Sequence, residues 1–568
     1  MVNFDTVRSA VLFASLNDQQ CTNVVNQSAE IEVASNGYLT YEGEAPAFYY
    51  FLTGTFELTK RVGAVEQLVH TRTAGEHIGE VPILLGTAFP VSVRAVGPAR
   101  VLRLDAQDFR RLMADLPDFA RTITEEMMPS LIGLQKLALR IPTSQVTLYG
   151  HPWDPAAYAL RDFLARNNVL FTWAATSSTM PIRTDLGREV VASEHALYAR
   201  LHDGTLLADP TLRNLATSLG MRTTPADQVY DLAIVGAGPA GLSAAVYAAS
   251  EGLRTLLIER EAPGGQAGTS SRIENYLGFP AGIAGDDLGR KAFEQAERLG
   301  ADIVITRNVV ALRTGGDQQH ELVLDGDEVV RTRAVLLATG VDWRRLRVPE
   351  IDRFLGCGVF YGAARTEAAT ARDQDVYLVG GGNSAGQAAM FFSGYARQVT
   401  LLVRKSGLAA SMSHYLIDQL ATKANVRVEP YTEVTGVAGR QHLEAISVTN
   451  LLTNETTLRP TSVLIVLIGA DARTAWLPEA VARDEQGGVL TGAVVRTHMV
   501  PKWPLTRDPF FLETSLPGVF AAGDVRAGSV KRVAAGVGEG GVAVSCVHDY
   551  FESLLVALPS SEPAPVQK

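Results

Sequence analysis

Cysteine is scarce. Cys21, Cys357 and Cys546 are the three cysteines among 568 residues, and they lie far apart. They are too few for a disulfide framework and too scattered to ligate zinc, so no metal site is expected. No Cys-x-x-Cys occurs anywhere in the sequence, which removes the usual local arrangement for dithiol chemistry. Basic runs are also missing. With 51 Lys and Arg against 61 Asp and Glu, the net charge is −10, which argues against a nucleic-acid partner. No apolar run approaches the ~18 residues that a membrane span needs. The longest, such as 463–469, are strand-length. The first residues lack the basic start and apolar stretch of a signal peptide. These absences point to a reducing cytoplasm and to no membrane partner.

Charged residues make up 20% and hydrophobic residues 46% of the chain, an ordinary globular mixture rather than a disordered one. At roughly 150 residues per domain, several domains are expected. Residues 30–105 carry short apolar or alternating runs (47–52, 55–60, 67–71, 100–104) between turns at Gly43, Gly54, Gly63, Gly75 and Gly86. That spacing predicts a small β-barrel or jelly roll. Residues 106–140 read as helical, with apolar positions at Phe109, Leu112, Met113, Leu116 and Phe119. A second unit, 144–224, reads as a small α/β domain. Its expected strands lie near 146–149, 169–173 and 197–201. Its expected helices are 155–167, with Tyr158, Leu160, Phe163 and Leu164 on the apolar side, and 211–219. A linker at 222–228 leads into a larger α/β region, 229–556. The proline- and serine-containing tail, 557–568, reads as disordered.

The larger region holds two glycine loops of the same design. Residues 230–235 predict a strand, Gly236-Ala-Gly238-Pro239-Ala240-Gly241 follows at once, and 242–250 predict a helix. An acid, Glu259, ends the next strand about 20 residues on, the distance at which a carboxylate meets a ribose. Here Gly236 makes the tight turn, Gly238 admits a pyrophosphate and Gly241 lets helix and strand pack closely. The helix N-terminus offers free N–H groups and the positive end of its dipole to the phosphates. The pattern returns at 375–392. There a strand runs into Gly380-Gly381-Gly382-Asn383-Ser384-Ala385, and the following strand ends at Arg404 and Lys405. A carboxylate in this place favours an unphosphorylated ribose, whereas a cation accommodates a 2′-phosphate. The first site is therefore expected to hold a flavin-type dinucleotide and the second NADPH. A solvated strand end remains open as the plain reading of Arg404 and Lys405.

Residues 229–556 resemble the low-molecular-weight thioredoxin reductases. Gly264-Gly265-Gln266, Glu274-Asn275-Tyr276 and Gly278-Phe279-Pro280 look like that family's flavin-contacting loops. Ala338-Thr339-Gly340 matches the motif closing the first FAD segment. Gly518-Val-Phe-Ala-Ala-Gly523-Asp524 matches the C-terminal FAD motif, and Lys531-Arg532-Val533-Ala534 the stretch beside the flavin ring. The resemblance implies an FAD domain (229–343 and 472–556) interrupted by an NAD(P)H domain (344–471), two Rossmann-like units, and a homodimer. It breaks at the redox centre. The family's two thiol positions fall on Ala363 and Thr366, and Glu367 follows where the family has an acid. No catalytic side chain is assigned in their place, because a dithiol relay needs two adjacent sulfurs.

Residues 144–224 resemble a glutaredoxin or thioredoxin fold whose thiol site has become His151-Pro152-Trp153-Asp154, a degenerate scaffold for docking or packing. Residues 1–140 resemble the cyclic-nucleotide-binding fold through Glu42-Gly43-Glu44, Leu52-Thr-Gly54 and the run from Gly79 to Gly86, where Glu80 would meet the ribose 2′-hydroxyl. The family's phosphate-binding arginine falls on Phe89, which cannot pair with a phosphate. Arg94 lies near but alternates differently along its strand. Cyclic-nucleotide binding is thus not favoured over a structural or partner-binding role. Two functions stay open. One is an FAD-dependent reductase passing hydride from NADPH to FAD, then electrons to ferredoxin or flavodoxin, a quinone, oxygen or a partner's disulfide. The other is a redox- or ligand-sensing regulatory flavoprotein acting through its N-terminal domain.

Overall fold

The computed structural model describes residues 4–14, 16–62, 65–127, 145–176, 181–183, 189–191, 197–270, 272–315, 319–362, 368–497 and 503–556. The chain divides into two compact units, 1–145 and 146–568.

The first unit is built on two antiparallel four-stranded sheets. In one, Ala47–Thr53 and Ala99–Asp105 form the centre, with Ser28–Val33 and His77–Ile78 outside. The other takes Tyr38–Thr40, Ser92–Ala95, Thr55–Val62 and Val65–Thr73. Alternation along the strands places Phe51, Phe56, Val93 and Val101 in one apolar core. Phe48, Leu102 and Leu104 join a second core with Phe109, Leu112 and Phe119 of the helical segment that follows. The short helices Phe4–Ser9 and Asp18–Gln27 precede the first strand. Their polar composition hid them from a periodicity reading, but Val7, Cys21 and Val24 anchor them to this core. Helix Ala106–Asp115 and a further helical run, 117–127, occupy the expected helical segment. Residues 128–140 lie outside the described residues.

In the second unit, residues 146–219 form a four-stranded mixed sheet in the order Phe171–Ala175, Val146–Gly150, Tyr198–Leu201, Leu206–Ala208. The first pair is parallel and the others are antiparallel. Helix α1 (Pro155–Arg166) starts on Asp154, whose carboxylate accepts from the Ala156 N–H at 2.9 Å, with Pro155 pre-set in the first turn. Its residues Leu160, Phe163 and Leu164 are buried against this sheet. Tyr158, expected on that apolar side, points instead toward Phe360, with ring centroids 5.3 Å apart. A helix face is only about 100° wide, and position 158 falls outside it.

Two larger sheets follow. The seven-stranded sheet centres on β1 (Val229–Val235), flanked in parallel by β2 (Thr255–Ile258) and β3 (Val329–Leu337). Helix α2 (Pro239–Ser250) packs on it. The all-parallel five-stranded sheet centres on β4 (Asp375–Val379) and β5 (Gln398–Val403), with α3 (Asn383–Phe392) on one face. Their inner parallel strands, such as Thr255–Ile258, Gln398–Val403 and Val463–Val466, are almost continuously buried, as parallel strands covered on both faces require. The two connections between these sheets pair with each other as an antiparallel ribbon, Val341–Trp343 with Ala470–Ala472. The C-terminal helix α4 (Val533–Val556) lies on α2. No described helix is long and apolar enough to cross a membrane. Residues 557–568, expected to be disordered, lie outside the described residues.

Candidate dinucleotide sites

The loop joining β1 to α2 is set by three glycines with different surroundings. Gly236 has φ +105°, and a Cβ there would stand 2.4 Å from the Ala338 carbonyl oxygen. A Cβ on Gly241 would stand 1.9 Å from the Gly236 carbonyl oxygen. Both positions exclude a side chain on steric grounds. Gly238, the cap residue of α2, faces open space, with nothing within 4 Å of its would-be Cβ. The protein has left a cradle at the point where a helix N-terminus presents free N–H groups.

Glu259 closes this cradle. It is buried, and its carboxylate accepts from the N–H groups of Ala237 at 2.8 Å and Glu261 at 2.9 Å. The acid is thereby fixed against the first residue after Gly236. Gly265 approaches from the other side, so closely that a Cβ would sit 3.0 Å from the Gly238 Cα. The Gln266 side-chain amide donates to the Val341 carbonyl. Gly340 has φ +63°. Asp524 stands at the cavity wall, and burial pushes its carboxyl upward while Lys531 pulls it back. Glu539 went unnoticed in the sequence. It accepts from the Gly523 N–H at 2.6 Å and pairs with Arg526 at 2.5 Å, fixing the loop that carries Asp524. Its signal was weak, because an acid inside a glycine-rich helix has no spacing rule.

These groups line one cavity of about 960 Å³, at the upper end of the ~300–1,000 Å³ typical of ligand sites. Gly236, Gly238, Pro239, Ala240, Glu259, Gly265, Gln266, Gly340, Gly523, Asp524, Arg532 and Val533 all lie on its wall. Gly241 does not, since its work is packing. Asn275 and Ala534 are exposed and off the wall. The loop carrying Asn275 projects outward, with Leu277 94% exposed. Cavity and cradle fit an extended dinucleotide.

The second loop repeats the design. Gly380 has φ +145°, and a Cβ there would meet the Leu467 carbonyl oxygen at 2.4 Å. Gly382 caps α3 and has nothing nearer than 3.9 Å. The loop is held by residues outside the motif. Asn383 exchanges hydrogen bonds with Ser413 (2.8 and 3.0 Å), and the Ser411 hydroxyl donates to the Gly381 carbonyl at 2.8 Å. Ala385 is buried. Ser384, Gln387 and Phe391 of α3 reach the large cavity. Arg404 and Lys405 are exposed directly after β5.

Ala363, Thr366 and Glu367 lie outside the described residues. The three cysteines are buried and unpaired. The Cys357 thiol donates to the Trp153 carbonyl oxygen at 2.9 Å, and burial, with Asp154 nearby, pushes it up. Trp153 stacks on His442 with centroids 4.4 Å apart. The 151–154 turn is thus packed against the five-stranded-sheet half of this unit. Among the described residues no group of three His, Cys, Asp or Glu side chains could hold a metal ion.

In the first unit, Glu80 is buried 3.2 Å from His77 Nδ1, and Glu126 meets His77 Nε2 at 2.7 Å. Burial pulls the imidazole down, but the two carboxylates carry it above its usual value. Phe89 is buried in the apolar core. Arg94 pairs with Glu57 at 2.7 Å.

Comparison with known proteins agrees with this geometry. Residues 230–540 match the family model for pyridine nucleotide-disulphide oxidoreductases, and residues 30–115 that for the cyclic nucleotide-binding domain. The chain is 32% identical over 325 residues to a Clostridium pasteurianum protein described as a 34.2 kDa protein in rubredoxin operon, covering 57% of this chain and 98% of that one. It is 30% identical over 333 residues to thioredoxin reductase of Listeria innocua, covering 58% and 97%. Among solved structures, Lactococcus lactis thioredoxin reductase superposes with a TM-score of 0.51 at 26% identity, covering 57% of this chain and 99% of that one. Thioredoxin reductase-like proteins use FAD and NADPH. With two dinucleotide loops in one unit and a family model spanning most of it, this chain belongs to the pyridine nucleotide-disulphide oxidoreductase family.

Proposed function

We propose that the chain is an NADPH-dependent flavoprotein reductase whose electrons leave for an acceptor other than a built-in dithiol. The observation that carries this reading is the pair of glycine cradles at the N-termini of α2 and α3 in a single unit, one closed by Glu259 and the other followed by Arg404 and Lys405. FAD and NADPH together supply hydride transfer, which is the cofactors' own chemistry. The side chains supply position. Glu259 accepts from ribose hydroxyls, and the N-terminus of α2 receives the pyrophosphate. Asp524 receives the ribityl hydroxyls, and Arg532 with the start of α4 adds positive potential beside the flavin. Arg404 and Lys405 receive the 2′-phosphate.

The boundaries that support this division are 229–343 with 472–556 for FAD and 344–471 for NADPH, since the paired ribbon of Val341–Trp343 and Ala470–Ala472 runs across both junctions. The order and directions of the four-stranded sheet support reading 144–224 as a degenerate thioredoxin-like domain. The two antiparallel sheets of the first unit support a jelly roll. A cytoplasmic homodimer completes the proposal.

Stopped-flow kinetics test it. NADPH should bleach the bound flavin, and at least one acceptor among ferredoxin, flavodoxin, quinone, oxygen and small disulfides should reoxidise it within the turnover time. The presence of a cyclic nucleotide-binding-type domain favours a second reading, a regulatory flavoprotein. Bleaching without turnover on any acceptor would select that one.

A further inference from the structure

Helix α1 has two occupied sides, one buried in its own core and one that lines the large cavity. Leu160, Phe163 and Leu164 fill the core of its own sheet. Pro155, Tyr158, Asp162 and Arg166 recur at helical spacing along the other side and line the large cavity. A polar stripe on a helix normally meets water. This one lines the cavity instead, with Tyr158 toward Phe360 and Arg166 at the segment that follows Glu259.

The contacts of Arg166 explain the stripe. Its guanidinium pairs with Glu261 at 2.7 Å, lies 3.7 Å from Asp162 and reaches the Gly265 carbonyl oxygen at 3.4 Å. The neighbouring Asn167 amide donates to the Glu261 carbonyl at 3.3 Å. Glu261 in turn donates its backbone N–H to Glu259. Gly265 lies on the Gly238 cradle. One side chain therefore ties together the segment bearing the ribose acid and the loop covering the pyrophosphate position. Arg166 and Arg260 hold the Glu261 carboxyl below its ordinary range despite its burial.

We propose that α1 of the middle segment is a structural wall of the flavin-nucleotide site and that Arg166 is its positioning residue, clamping the 259–266 segment in the shape that receives FAD. This rests on the flavin reading above. The middle segment thereby serves cofactor retention rather than the docking of a redox partner at its degenerate thiol turn.

FAD affinity of the full-length protein tests this, measured by flavin fluorescence on titrating the apoprotein, with far-UV circular dichroism to follow folding. Arg166→Ala is expected to raise the FAD Kd at least tenfold, and Arg166→Lys to restore part of the loss. Glu261→Gln breaks the same pair from the other side, and the double variant should lose no more than Arg166→Ala alone, because both remove one interaction. If Arg166→Ala does not fold, Arg166→Lys and Glu261→Gln decide, each with a Kd raised at least threefold. Arg213 ties the middle segment to Thr306 and Asp325, one residue removed from the cavity wall at Arg307 and Asn308, so Arg213→Ala should raise the Kd far less than Arg166→Ala. Equal affinities in wild type and the Arg166 and Glu261 variants would overturn the proposal, as would an equal loss in Arg213→Ala. A wild-type apoprotein that takes up no FAD would overturn the flavin reading instead.

Discussion

Gly238 and Gly241 sit three residues apart and meet opposite surroundings, so the same kind of substitution has opposite consequences. A side chain at 238 enters open space, at an ordinary φ of −74°. Gly238→Val should leave the melting temperature of the apoprotein within a degree or two and abolish FAD uptake. A methyl group at 241 meets a carbonyl oxygen at 1.9 Å, so Gly241→Ala should cost about 1–3 kcal/mol through backbone displacement. Thermal unfolding of the two apoproteins separates the cases. His320 offers a second test. It is buried beside Gly518, and burial holds its imidazole at about 4 against the usual 6.5. A depressed histidine is neutral in both states above pH 6.5 and costs nothing there. Below it the unfolded chain takes the proton first, so stability falls between pH 6.5 and 4. The full loss is about 3 kcal/mol, at 1.36 kcal/mol per pKa unit. Urea midpoints across that range should decline in wild type and less in His320→Leu.

At the scale of the element, a strand–glycine loop–helix is the smallest piece that carries function here, and the second copy differs from the first at its far end. A guanidinium pairing with a 2′-phosphate contributes roughly 1.5–3 kcal/mol. Arg404→Ala should therefore reduce the NADPH-over-NADH preference in kcat/KM by about ten- to a hundredfold. Equal use of both nucleotides by wild type would contradict this. Both loops were legible because backbone contacts exclude a side chain at Gly236, Gly241 and Gly380, which fixes the glycine pattern. The braces were not. Ser411, Ser413 and Glu539 are ordinary residues that become important by where the chain returns. Asn275 shows the converse, a residue matching a motif that the fold turns toward solvent.

At the scale of the whole molecule, redox-active cysteine pairs are missing from the sequence and the described thiols are buried. NADPH consumption with thioredoxins should be absent or feeble, and the triple variant Cys21→Ser, Cys357→Ser, Cys546→Ser should not change it. Efficient turnover that the triple variant abolishes would reveal a relay through these thiols. In the first unit, Glu80 is engaged by His77, and Phe89 is buried where a phosphate would need a cation. Ligand binding to the native state raises the melting temperature by mass action, so cyclic AMP at millimolar concentration should leave the melting of this protein unchanged. A clear shift would show a different phosphate contact.

The features written in the amino-acid order are local: strand–turn–helix units, glycines where a Cβ would meet backbone, an acid or a cation at the end of the next strand, and the missing sulfurs. Each follows from chain geometry over about 30 residues or fewer, or from composition. Which polar residues line a cavity depends on long-range packing. Asp162 and Arg166 look in sequence like the solvated side of an amphipathic helix, and Tyr158 like part of its apolar side. They become cavity wall because packing brings α1 against loops about a hundred residues away. Long-range contacts of that kind depend on the summed burial of many apolar groups, and no local spacing encodes them.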